Sequence, residues 1–256
     1  MKTKISLAEM PDNDTILLYG LPKRGKTFAY CSIIERCIEA GGNVFVINTD
    51  SGLKRTAQAY FGDKFDTVAK SIQYYLITNI DDVTEIIADV KGSAKPNDLI
   101  VVDLLTDFYE MAQEKFVDNL SGGNIIDYYE RASRDKQKFG VLSGQQWQYI
   151  KKLDNYVINE LVIRPPCRVV AVASARELEM DKVHKNTEVL DEYEAIGHKP
   201  DGQKRLQYKF SSIVYIGELK GSKYMIVLGD RGKKCEYKRL SFGRDFWQKF
   251  MEFRKK

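Results

Sequence analysis

Apolar positions along this chain fall into short unbroken runs, and amphipathic stretches lie between them. Residues 15–19 (TILLY), 44–47 (VFVI), 99–102 (LIVV) and 167–173 (CRVVAVA) are continuous apolar runs. Runs of that kind, bounded by Gly, Pro or charge, predict buried strands. Residues 74–77 predict a further strand. Between them, 26–40 places Phe28, Ile33, Ile34, Cys37 and Ile38 at helical spacing, and Gly41-Gly42 supplies the stop. Shorter helices are expected over 53–61, from Asp81 or Asp82 as cap through Val90, and over 106–118. A longer one spans 145–163 before Pro165-Pro166. Residues 213–216 and 224–228 read as two late strands, with Lys220-Gly221-Ser222 as the turn of a hairpin. The chain ends in an aromatic-rich helix over 242–256. Two polar stretches stand apart: 119–146, read as an exposed excursion, and 176–205.

Continuous apolar strands alternating with helices predict an α/β architecture. Its sheet is mostly parallel and covered by helices on both faces, and the late pair forms an antiparallel extension at one edge. At 256 residues, 43% hydrophobic and 30% charged, the chain reads as one folded domain over 1–256, and the composition excludes a disordered protein. The net charge of +4 is a mild basic bias, compatible with a nucleic-acid partner without requiring one. Cys31, Cys37, Cys167 and Cys235 form no C-x-x-C pair, and His184 and His198 are not at metal-ligand spacing, so the thiols read as reduced. The first residues hold no apolar core of signal-peptide length, and no run of about 18 apolar residues occurs. The expectation is a protein of the cytoplasm, whether of a cell or of an infected cell, with no membrane partner.

One segment carries specific chemistry. Gly20-Leu21-Pro22-Lys23-Arg24-Gly25-Lys26-Thr27 matches G-x-x-x-x-G-K-[ST] at every fixed position, after an apolar strand and before a helix. The glycines let the backbone curl so that its N–H groups face phosphate oxygens. Lys26 supplies charge to the β- and γ-phosphates, and Thr27 offers its hydroxyl to Mg2+. Phe28 follows on the first turn of a helix whose positive end faces the same anion. This motif implies binding of a nucleoside triphosphate, ATP, with Mg2+. Asp103, at the end of LIVV, is the natural second element, a carboxylate placed to hold that cation.

Weaker candidates sit at other strand ends. Asp50 follows VFVINT and either orients the attacking water or starts the helix near residue 53. Ser174 and Arg176, after CRVVAVA, are either sensors of the γ-phosphate or an ordinary loop. Arg231, after Asp230, either acts on a neighbouring subunit's nucleotide or belongs to a solvated basic turn. Tyr128 to Lys138 interleaves tyrosines with cations, as a single-strand platform would, yet also holds Glu130 and Asp135. The stretch 233–239 and the tail Arg254-Lys-Lys are a second basic feature, and Trp147 reads as packing.

In their order, these pieces resemble the RecA/RadA-type P-loop ATPases, in particular the compact forms that phages and archaeal viruses use as single-strand-annealing recombinases. PKRGKT, VFVINTDSG, LIVVDLLTDFYE, QQWQYIKKLDNYVINEL with CRVVAVASARE, and KFSSIVYIGEL with KYMIVLGDRG carry the resemblance over roughly residues 13–235. Asp50 stands where that family usually has Glu, one methylene longer, and Gly229 where a Lys commonly precedes the Asp of the last turn. The resemblance implies a RecA-like core that uses ATP and Mg2+. It also implies DNA, single-stranded above all, as partner, and a ring or filament of identical subunits. In such an assembly Lys26, Asp50 and Asp103 would be catalytic. The expected function is an ATPase that promotes single-strand annealing or recombination. The alternatives are a DNA-translocating motor, of packaging or helicase type, and a nucleotide-gated binding protein with weak hydrolysis. A small-molecule kinase ranks below these, because 176–205 carries arginine only at its two ends.

Overall fold

A computed structural model describes residues 13–122, 126–127, 130, 134, 144–178, 191–194, 196–203, 206–231, 235 and 237–255. The described strands are β1 (Thr15–Gly20), β2 (Val44–Asn48), β3 (Ile72–Leu76), β4 (Leu99–Asp103), β5 (Arg168–Glu177), β6 (His198–Pro200), β7 (Ser212–Leu219), β8 (Ser222–Asp230) and β9 (Leu240–Ser241). They form one sheet in the order β3-β2-β4-β5-β1-β7-β8-β9, with β6 paired to the end of β5. From β3 to β7 every pairing is parallel, while β8 and β9 run antiparallel. The four apolar runs thus become the interior strands, where both faces are covered and no polar alternation is tolerated. β3, at one edge, is partly exposed.

Alternate residues of each strand feed two cores. Leu17, Tyr19, Phe45, Ile47, Ile100 and Val102 point to one face, under α4 (Val83–Ser93), α5 (Leu105–Ser121) and α6 (Gly144–Ile158). Ile16, Leu18, Val44, Val46, Leu99 and Val101 point to the other. There lie α1 (Lys26–Glu39), α2 (Leu53–Phe61), α3 (Phe65–Ala69) and α7 (Phe246–Lys255). The β7–β8 turn places Lys220 at φ 50° and Gly221 at φ 77°. Two positive φ values in a two-residue loop give the turn whose twist matches a hairpin.

Several boundaries differ from the sequence reading. Asp82 takes the N-cap position of α4 without a side-chain capping bond. Asn79 Oδ1 instead accepts from the Asp81 and Asp82 N–H groups. The long helix of 145–163 is α helical to Ile158 and then widens into a π turn over Asn159–Ile163, ahead of the proline pair. The C-terminal helix begins at Phe246, because Leu240–Ser241 is taken by pairing with β8. Within the stretch expected to be an excursion, 119–121 closes α5 and 144–146 opens α6, and most of what lies between falls outside the described residues. No helix among the described residues is long and apolar enough to cross a membrane.

Candidate active site

Strand order decides what meets at the carboxyl rim. Parallel pairing sets Gly20 opposite Ser174, Val172 opposite Asp103, and Asp103 opposite Asn48. The ends of β1, β5, β4 and β2 are therefore neighbours, the rim where α/β sheets bind ligands. β5 stands between the strand of the phosphate loop and the strand of Asp103.

The loop from Gly20 to Thr27 has the backbone its motif requires. Gly25 has φ 96°, a left-handed value that a side chain disfavours. Gly20 is tight for another reason: a Cβ there would collide with the Ile216 carbonyl oxygen of β7. Lys23 also takes a positive φ, and Arg24 pairs with Glu218 at 4.0 Å. Lys26 is buried, and its ammonium donates to the carbonyl oxygens of Gly20 and Leu21 at 2.7 and 3.0 Å. Burial lowers its pKa, against the opposing charge of Asp103. α1 starts at Lys26 with no side-chain cap, so its first N–H groups point into the loop. Phe28 stands edge-on to Tyr60, ring centroids 4.9 Å apart. Over it lies the Lys223 ammonium at 5.0 Å, and the Lys223 stem runs beside Gly25. Lys223 is a residue the sequence reading missed. It is the second residue of β8, and only the hairpin returns it to the loop.

Asp103 is 5% exposed. Burial pushes its carboxyl up to about 6. The hydrogen bond from Tyr30 and the charge of Lys26 oppose this, while the charges of Asp50 and Asp107 add to it. Tyr30 donates to Asp103 Oδ2 at 2.9 Å. The strand end is braced by Thr49, whose N–H donates to the Asp103 carbonyl at 2.8 Å. The Thr49 hydroxyl donates to Asp107 Oδ2 at 2.5 Å and accepts from the Leu104 N–H at 3.0 Å. Tyr30, Thr49 and Asp107 escaped sequence reasoning, since each matters only through its partner across the rim.

Asp50 lies in the turn just ahead of α2. Its Oδ1 accepts from the Gly52 N–H at 2.7 Å, a turn that starts α2, and its charge bears on Asp103. Its own N–H donates to Asn48 Oδ1 at 2.7 Å, and the Asn48 amide nitrogen is buried with no hydrogen-bond partner. Ser174 lies beside Gly20, and its N–H donates to the Thr106 hydroxyl at 3.0 Å. Arg176, two residues on, is held by Asp201 at 3.6 Å on the β6 side.

Arg231 does not join this rim. β8 runs antiparallel, so Ser222 and Lys223 lie at the loop end of the sheet and Asp230-Arg231 at the opposite end. Arg254 is not a solvated tail cation: it pairs with buried Asp14 at 2.6 Å and with Asp230 at 2.8 Å. Of the other basic candidates, Tyr128 to Lys138 lies largely outside the described residues, and of those described within it, Arg134 pairs with Glu130. Arg239 stacks over Tyr224 at 5.2 Å. Trp147 packs against the cluster of Ala112, Phe116 and Ile150.

The donor set suits a hard cation. A hydroxyl and one carboxylate, Thr27 and Asp103, are the oxygen ligands by which proteins share Mg2+ with substrate phosphates. Among the described residues there is no cluster of three or more His, Cys, Asp or Glu that would hold a metal alone.

The AAA domain family profile matches residues 12–228. The crystal structure of a KaiC-like protein from the hyperthermophilic archaeon Pyrococcus horikoshii OT3 superimposes with a TM-score of 0.52. The alignment covers 90% of this chain and 84% of that one at 16% identity, a similarity of fold. No curated protein sequence matches the chain.

Proposed function

The chain belongs to the AAA domain family, and from that premise we propose that it hydrolyses ATP with Mg2+ and couples hydrolysis to single-stranded DNA, in annealing or recombination. The observation that carries the nucleotide reading is the convergence of Lys26 and Asp103 on one rim, with the uncapped start of α1 between them. Lys26 and the loop N–H groups would hold the β- and γ-phosphates. Thr27 and Asp103 would hold the cation, which neutralises phosphate charge when bound. Asp50 would orient the water that attacks the γ-phosphorus, breaking the bond to the β-phosphate oxygen and leaving ADP and phosphate. The order of motifs supports the DNA partner and a ring or filament of this chain, and the +4 net charge is compatible with such a partner. Arg231, at the far end of its own sheet, would act only on a neighbouring subunit.

The capping bond from Gly52 favours a second reading. It occupies one oxygen of the candidate base, as expected of a nucleotide-gated switch that hydrolyses slowly. Steady-state hydrolysis without DNA, with single strands and with duplex decides among these, with Lys26→Ala as control. Single-strand stimulation that Lys26→Ala abolishes, by at least about 100-fold, supports the leading reading. Preferential stimulation by duplex supports a translocating motor. Tight binding with negligible turnover supports the switch.

A further inference from the structure

Tyr30 lies one helical turn beyond Thr27 on α1, fully buried among apolar neighbours. Side chains three apart share a helix face. Its hydroxyl donates to Asp103 Oδ2 at 2.9 Å. One buried phenol on the helix of the phosphate loop thus reaches the carboxylate assigned to the cation.

The direction of the protons gives this arrangement its meaning. A carboxylate only accepts, so the single Tyr30 proton goes to Asp103. On Asp103, Oδ2 is engaged and Oδ1 remains for the metal. We propose that Tyr30 is a positioning residue for the metal ion, holding the Asp103 carboxylate with the lone pairs of Oδ1 toward the cation. This role rests on the nucleotide-site reading.

The test is a Mg2+ titration of binding of a fluorescent, non-hydrolysable ATP analogue to the full chain, with a chelator-treated arm as the metal-free reference. Tyr30→Phe keeps the ring and removes the hydroxyl. Its metal-free affinity is expected within about twofold of the wild type, while the Mg2+ midpoint rises about 10- to 100-fold, as for other groups that orient metal ligands. Because Tyr30 acts through Asp103, adding Tyr30→Phe to Asp103→Asn is expected to shift the midpoint no further than Asp103→Asn alone. An unchanged midpoint in Tyr30→Phe, or additive losses in the double variant, would overturn the positioning role and leave the nucleotide site standing. A wild-type protein whose analogue binding is indifferent to Mg2+ would overturn the site reading itself, and this role with it.

Discussion

Replacing Asp103 by Asn should make the nucleotide-free protein more stable while weakening its metal binding. The carboxyl is 5% exposed, and burial raises its pKa from 3.8 to about 6. A group whose folded pKa lies above its unfolded value binds more protons when folded, so its ionisation opposes folding. The penalty is full above about pH 6, shrinks as pH falls and is gone below the unfolded value near 3.8. A rise of that size corresponds to about 3 kcal/mol at neutral pH. Asn has the same shape, still accepts from the Tyr30 hydroxyl, and carries no charge. The gain at pH 7.5 is therefore about 3 kcal/mol, a rise in melting temperature on the order of 10 °C for a chain of this length. At pH 5 about half of it should remain, and at pH 4 little. Thermal unfolding of both proteins across that pH range, without nucleotide or Mg2+, is the assay. Nucleotide binding, followed in parallel, should require a much higher Mg2+ concentration in Asp103→Asn. A variant no more stable than the wild type, or a gain that does not vary with pH, would refute the claim that Asp103 is held against its own ionisation.

Two further outcomes follow from the cations beside the loop and in the last helix. Lys223→Met keeps the stem beside Gly25 and removes the charge. Nucleotide affinity should fall by up to about tenfold, less at high salt, with the melting temperature unchanged, and binding assays at two ionic strengths would check it. Arg254→Ala leaves Asp14 and Asp230 buried without their shared cation. Chemical denaturation should show a loss of about 3 kcal/mol, and a change under about 1 kcal/mol would mean that the tail is not an anchor.

The interior strands and the phosphate loop were legible because their causes are local. Four apolar runs could only be buried, and Gly25 with Lys26 states a backbone turn and a charge within one segment. Asp103 was legible as the polar end of such a run. Asp50 was legible only as a choice, since a turn residue and a water-orienting residue look alike until their neighbours are known. The hairpin was readable from Lys220-Gly221-Ser222, yet its consequence was not. Reversal carries Lys223 to the loop and Arg231 to the far end, and nothing in GDRG records which end that is.

By itself, the sequence determined a layered α/β chain, the phosphate loop and the acidic end of the LIVV strand, because hydrophobic period and motif spacing report burial and backbone shape within a few residues. Only the tertiary structure decided that β5 stands between β1 and β4, so that Ser174 borders the loop. It alone brought Tyr30 to Asp103 across 73 positions of chain and buried Arg254 against Asp14. Such pairings depend on strand order and register, which arise from the packing of whole elements and leave no local trace in the residues that they join.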